Sequence, residues 1–195
     1  AIAKAFDKKV NEVETAFDLT VDYGEVARLA KENKLKGISL TPGNPIKMML
    51  SLTAKDIDEA LEDLGSPLQC EFKYDGFRLQ IHKSKNNIQL FTRNMENVTN
   101  QFPDLVKVAK SHVDANSFIL DAEVVGYDKK TKKYLPFQSI SQRIKRKYNI
   151  QEMAAKFPVE LNVFDIVYYN NKSLMQDTLQ ERRRIIEKII NQEKG

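Results

Sequence analysis

The residues best suited to chemistry lie in one run, Glu71-Phe72-Lys73-Tyr74-Asp75-Gly76-Phe77-Arg78. Its lysine stands in a turn between two apolar stretches, 68–72 and 77–82, where Asn, Asp and Gly are the usual residues. Gly76 permits a tight backbone, and Asp75 can pin the turn by accepting backbone N–H bonds. Lys73 then projects from a rigid strand end, with Arg78 just beyond the turn to hold an anion. A nucleophilic amine needs that setting: a fixed position, partial desolvation and a neighbouring cation that lowers its pKa. At a pKa near 10.4, only about one lysine in 10³ is neutral at pH 7. An ordinary surface hairpin with an ion pair is the alternative reading of the run.

A second feature is electrostatic. Lys129, Lys130, Lys132, Lys133, Arg143, Lys145, Arg146 and Lys147 follow one another with no acid between them, a surface suited to phosphate. A solvated loop and helix face is the competing explanation. Over the whole chain the bias nearly cancels, with 31 Lys+Arg against 27 Asp+Glu in 195 residues.

The elements that must position these groups read as an α+β order, a mostly antiparallel sheet with inserted helices, preceded by a short all-helical segment. Residues 1–35 have helical periodicity, and 36–45 holds Gly37, Pro42, Gly43 and Pro45, a linker composition. Residues 56–64 suggest a short acidic helix. The stretches 68–72, 77–82, 88–93, 118–127 and 159–169 read as strands, and 103–112 and 138–147 as helices. Thr178 with Glu181 forms a capping box opening a helix with Ile185, Ile186, Ile189 and Ile190 on one face. An apolar share of 42% supports a sizeable core, and Cys70 as the sole cysteine excludes an intrachain disulfide and a Cys-cluster zinc site. No apolar run reaches the length of a membrane span, and an intracellular monomer is expected.

The run at Lys73 resembles the Lys-x-Asp-Gly-x-Arg motif of the covalent nucleotidyltransferases, the superfamily of DNA ligases, RNA ligases and mRNA capping enzymes. Further stretches agree in family order: Arg93 in Phe91-Thr92-Arg93-Asn94, then Asp121-Ala122-Glu123, then Val163-Phe164-Asp165-Ile166 with Glu181-Arg182-Arg183 downstream. The stretches outside these motifs are similar to ATP-dependent DNA ligases of the archaeal and eukaryotic replicative type. They are Gly43-Asn44-Pro45-Ile46-Lys47-Met48-Met49-Leu50, Pro136-Phe137-Gln138 with the basic residues after it, and Val13-Glu14-Thr15-Ala16-Phe17 with Asp22-Tyr23-Gly24.

The resemblance implies a nucleotidyltransferase-type adenylation domain over 39–195, preceded over 1–38 by the end of a helical DNA-binding domain and a linker. It implies ATP and Mg²⁺ as cofactors, nicked duplex DNA as partner, a sliding clamp as a further partner of a longer parent, and work in DNA replication, repair and recombination. Lys73 matches the nucleophile that becomes lysyl-AMP. Glu71 matches a contact to the adenine edge, Arg78 one to ribose and phosphate, and Phe164 the ring that stacks on adenine. Glu123 matches the acid that binds ribose and supports the metal, with Asp121 on the same strand face to orient it. Arg93 matches a contact to the 5′-phosphate, and Arg143, Lys145, Arg146 and Lys147 are expected to face DNA. Cys70 is expected to pack inward, His82 and His112 to have structural or solvated places, and Arg182 and Arg183 to be solvated or paired with acids.

The family pattern continues with a Glu-Gly motif and a Lys-x-Lys motif beyond the stacking residue. Neither follows Phe164 here, since Lys145-Arg146-Lys147 precedes it. The chain therefore reads as part of a ligase, expected on its own to be impaired in adenylation and unable to seal nicks. RNA ligase or GTP-using capping chemistry is the alternative, and a non-catalytic nucleotide- or DNA-binding module is a third reading for the isolated chain.

Overall fold

A computed structural model of the chain describes residues 1–192. Three helices open it: α1 (Ile2–Ala5), α2 (Val10–Thr20) and α3 (Tyr23–Lys31). They bury Ala16, Val26, Ala30 and Leu35 among themselves, with Ile38 against that cluster. Asp22 starts α3 by accepting from Gly24 and Glu25 N–H at 2.7 and 3.0 Å, the usual solution for the free donors of a first turn. After Ile38 the packing moves toward the sheet, where Leu40 and Ile46 lie against Ile119, with Leu19 of α2 joining this second cluster.

The helix α4 (Ile57–Leu64) is capped by Asp56 and buries no residue. The sheet follows, with β1 (Phe77–Ser84), β2 (Asn87–Thr92), β3 (Ser117–Asp128), β4 (Lys133–Leu135), β5 (Val159–Tyr169) and β6 (Lys172–Ser173). Its order is β2-β1-β3-β5-β6, with β4 paired to the far end of β3, and every pairing is antiparallel. The helices α5 (Pro103–His112), α6 (Phe137–Ile144), α7 (Ile150–Lys156) and α8 (Leu179–Ile189) complete the chain.

Period-two alternation divides the sheet into two faces. Phe77, Leu79 and Ile81 of β1 meet Phe118, Leu120, Ala122 and Val124 of β3 in the main core, which α5 closes with Leu105 and Ala109 and α8 with Ile186 and Ile189. The α8 face is the one expected from its isoleucines, and its capping box is present. Arg78, Gln80 and His82 alternate with the core residues of β1 and so share the opposite face with Asp121 and Glu123, register partners of Gln80 and Arg78.

Two expectations about elements fail. Residues 68–72 form no strand: among the described residues no neighbouring strand pairs with them, so their alternation has no surface to bury against. Cys70 is accordingly exposed, and Phe72 stands 87% exposed. The helix expected over 138–147 ends at Ile144, leaving Lys145 as its cap and Arg146 and Lys147 in coil.

Candidate nucleotide and DNA site

Lys73 lies in the exposed segment just before β1, so the partial desolvation that would activate it does not come from the described residues. Gly76 is required for a reason other than turn conformation. A Cβ there would sit 2.1 Å from the Val124 carbonyl oxygen and 2.9 Å from its carbon, so only glycine lets the entry to β1 lie this close to β3. Asp75 pins the entry to another element rather than to its own turn, its Oδ2 accepting from Phe137 N–H, the first residue of α6, at 3.4 Å.

Arg78 is the most tightly built of the site's side chains. Its Nε donates to Asp121 Oδ1 at 3.0 Å, its Nη2 to Asp121 Oδ2, and its Nη1 to the Met49 carbonyl at 2.8 Å. Its Cζ lies 5.3 Å from the centre of the Phe164 ring, within range of a cation–π contact. Asp121 therefore orients Arg78 rather than Glu123, and it raises the guanidinium pKa further. The fork stays a fixed positive charge at any working pH.

Glu123 is the register partner of Arg78 and is half-buried. Burial raises its carboxyl pKa, while the charges of Lys73 and Arg78 and a bond from the Gly76 backbone pull it down. Phe164 owes its place to a bulge. Ala122 pairs with Val163 and Asp121 with Asp165, which leaves Phe164 as the extra residue of β5. A bulge re-aims a side chain, a frequent device beside functional sites.

These groups converge. Glu71, Lys73, Arg78, Glu123 and Phe164 line one open cleft. Arg78 and Glu123 also line a second, with Arg93, Asn94 and Lys145. Glu71 enters from coil rather than from a strand, and its carboxylate accepts from Gln69 at 2.6 Å. Arg93 is exposed at the end of β2.

Arg143 is a correction. The expectation set it toward DNA, but its side chain is fully buried, forked onto Asp104 at 2.6 and 3.0 Å. It also donates to the carbonyls of Phe157 and Gln101 and stacks 4.4 Å over Phe102. A basic residue on the inward side of a short helix was indistinguishable by charge from its exposed neighbours. Lys145, Arg146 and Lys147 are exposed, and Lys145 reaches the second cleft. Arg182 is held by Asp165 at 2.7 Å and Arg183 by Glu187 at 3.2 Å, the acid-paired places expected of them.

Sequence reasoning missed three contributors. The Met49 carbonyl is backbone and leaves no trace in residue type. Asn162 pairs with Glu123 in register, and its amide nitrogen is buried without a protein acceptor. Gln80 reads as an ordinary strand residue, yet it is a buried polar group on the site's face, beside His82, which takes the structural one of the two places expected for it.

For a metal, the carboxylates of Asp121 and Asp165 are each taken by an arginine, which leaves Glu123. No cluster of three or more His, Cys, Asp or Glu suited to a metal occurs among the described residues. One carboxylate fits Mg²⁺ that takes its remaining oxygens from phosphates and water, and does not fit a site built from protein ligands alone.

A lysine amine, an anchored arginine, an acid and a re-aimed aromatic ring thus lie around one open cleft of an antiparallel sheet with helices packed on it. The chain matches the family described as ATP dependent DNA ligase domain over residues 48–195, and it belongs to that family. It is 49% identical over 195 residues to a DNA ligase of Nanoarchaeum equitans (strain Kin4-M), covering 98% of this chain and 34% of that protein. It is 44% identical over 194 residues to DNA ligase 2 of Methanosarcina acetivorans, covering 97% and 34%. A solved structure, mycobacterial DNA ligase D complexed with ATP and MES, aligns at 26% identity with a TM-score of 0.45, covering 60% of this chain and 35% of that one. The chain spans about a third of the length of the curated relatives it matches. Among the described residues no helix is long and apolar enough to cross a membrane.

Proposed function

We propose that this chain is the part of an ATP-dependent DNA ligase that is charged with AMP on Lys73 and passes it to the 5′-phosphate of a nick. The observation that carries the reading is the continuity of the two clefts across Arg78 and Glu123. Lys73 and Phe164 lie to one side and Arg93 and Lys145 to the other. Adenine would stack on Phe164, the ribose would meet Glu123, and the α-phosphate would lie between Lys73 and Arg78. The Lys73 nitrogen forms a bond to the α-phosphorus as the bond to the bridging oxygen breaks. Pyrophosphate leaves, and the nitrogen sheds a proton. Arg93 and Lys145 hold the 5′-phosphate, whose oxygen then displaces the lysine nitrogen, which recovers a proton. The 3′-hydroxyl finally displaces AMP and closes the strand. Glu123 is the carboxylate available to Mg²⁺, which when bound neutralises phosphate charge.

Residues 1–38 fit the end of a DNA-binding domain and 39–195 the start of the adenylation domain, a division supported by the change of packing between Ile38 and Leu40. The test is intact mass after incubation with ATP and Mg²⁺, in a ligase of the relatives' length that carries these residues. One AMP is gained by the wild type and none by Lys73→Arg, because arginine stays protonated. An adduct that survives Lys73→Arg, or that forms with GTP in place of ATP, refutes the reading.

A further inference from the structure

Residues 43–49 cross the polar face of β1 and β3 as a strap, and buried side chains of the sheet hold it there. Gln80, 2% exposed, forms a two-way bridge with Ile46: its Oε1 accepts from Ile46 N–H at 3.1 Å and its Nε2 donates to the Ile46 carbonyl at 2.8 Å. His82, 1% exposed, accepts from Gly43 N–H on Nδ1 at 3.0 Å, and its Nε2 donates to Gln80 Oε1 at 3.0 Å. Every polar atom of both side chains thus has a partner: three of the four bonds go to backbone of one short segment, and the fourth ties the two side chains together. Buried polar groups matched this completely fix a single arrangement, since sliding the strap by one residue would strand them all.

Three residues past Ile46 the strap delivers the Met49 carbonyl to Arg78. Arg78 lies two residues before Gln80 on the same face of β1, so clasp and guanidinium are neighbours on one rigid strand. Asp121 fixes one edge of the fork, and the Met49 carbonyl is the partner of Nη1. Without the strap, Nη1 would lose its acceptor and the fork could rotate about the Asp121 contact.

We propose that Gln80, seconded by His82, is a positioning residue: it clasps the strap so that the Met49 carbonyl sets the attitude of the Arg78 guanidinium toward the nucleotide cleft. The inference rests on the reading of Arg78 as a group that faces nucleotide. Nothing in the residue types of β1 marks the role.

The test uses the chain itself and two variants that open the clasp from opposite sides. Gln80→Met keeps volume and removes the bridge. Gly43→Ala acts from the strap, where φ is +106° and a Cβ would meet Gln89 Oε1 at 3.0 Å. Solvent exchange of the Arg78 Nη1–H, the group bonded to the Met49 carbonyl, followed by NMR, is expected to rise at least tenfold in each variant, together with exchange at the Ile46 and Gly43 amides. Strap amides that open while the Arg78 Nη1–H stays protected overturn the proposal, as does an Arg78 Nη1–H that is freed with the strap amides still closed. ATP affinity then supplies a double-mutant cycle. Gln80→Met is expected to weaken ATP binding several-fold in the wild-type background and not at all in an Arg78→Met background, whereas a merely structural role would add in both. If Arg78→Met by itself leaves ATP affinity unchanged, the reading of the site fails while the exchange data still decide the clasp.

Discussion

Arg143 offers the sharpest test of how charge and placement divide roles in this chain. Its guanidinium joins α6 to the first turn of α5 through Asp104, to the end of α7 through the Phe157 carbonyl, and to the Gln101 carbonyl. Arg143→Ala removes all of these and leaves two carbonyls and a carboxylate without their donor. Breaking a buried ion pair by deleting one partner destabilises by about 3–5 kcal/mol. The Asp104 side chain is 33% exposed and recovers water, which sets the expectation at the lower end, about 3 kcal/mol. With a urea m value of about 2 kcal/mol/M, the midpoint falls by about 1.5 M. The double variant Arg143→Met, Asp104→Leu is expected to recover most of the loss, because an apolar pair of similar volume leaves no stranded charge. Binding to a nicked duplex, titrated against salt, should keep its slope in these variants. An unchanged urea midpoint in Arg143→Ala, accompanied by a salt slope reduced by about 0.9, would show that Arg143 contacts phosphate and that its burial has been misread.

The exposed neighbours should behave in the opposite way. Neutralising Lys145, Arg146 and Lys147 to Gln is expected to leave stability within about 0.5 kcal/mol and to flatten the salt slope of DNA binding by about 0.9 per lost contact. Gly76→Ala, whose Cβ would press on the Val124 backbone, should destabilise by about 3 kcal/mol and lower nucleotide affinity with it, both read from melting with and without ATP. Burial lowers the pKa of His82 to about 4. The unfolded chain therefore binds the extra proton first as pH falls. Stability is complete above about pH 6.5 and declines by about 3 kcal/mol toward pH 4, and urea midpoints of His82→Gln should lack that component. Phe164→Ala should weaken ATP binding about 5- to 150-fold by calorimetry, and an unchanged affinity would return this ring to the core.

The sequence alone was enough for what depends on local pattern. The helical character of residues 1–35, the strands over 77–82, 88–93, 118–127 and 159–169, the helix over 103–112 and the capping box at Thr178 follow from short-range periodicity, residue type and capping chemistry, which act within a few residues. The motif order that links Lys73, Arg78, Arg93, Glu123 and Phe164 was equally legible, because residue type and spacing carry it. Tertiary structure decided the rest. The stretch 68–72 has the alternation of a strand, but a strand exists only where a neighbour pairs with it, and no residue of the stretch encodes that neighbour. Arg143 and Lys145 differ in fate by two positions at the end of one short helix, a question of which side meets α5. Phe164 turns toward the cleft because one residue of β5 goes unpaired against β3, and Gly76 is needed because of the Val124 carbonyl rather than its own turn. Gln80 looks like an exposed position of an amphipathic strand and His82 is left open between a structural and a solvated place, and the strap folded over them decides that both are buried. For Arg143, Phe164, Gly76, Gln80 and His82 the deciding partner lies dozens of residues away in the chain, where neither periodicity nor residue type can point to it.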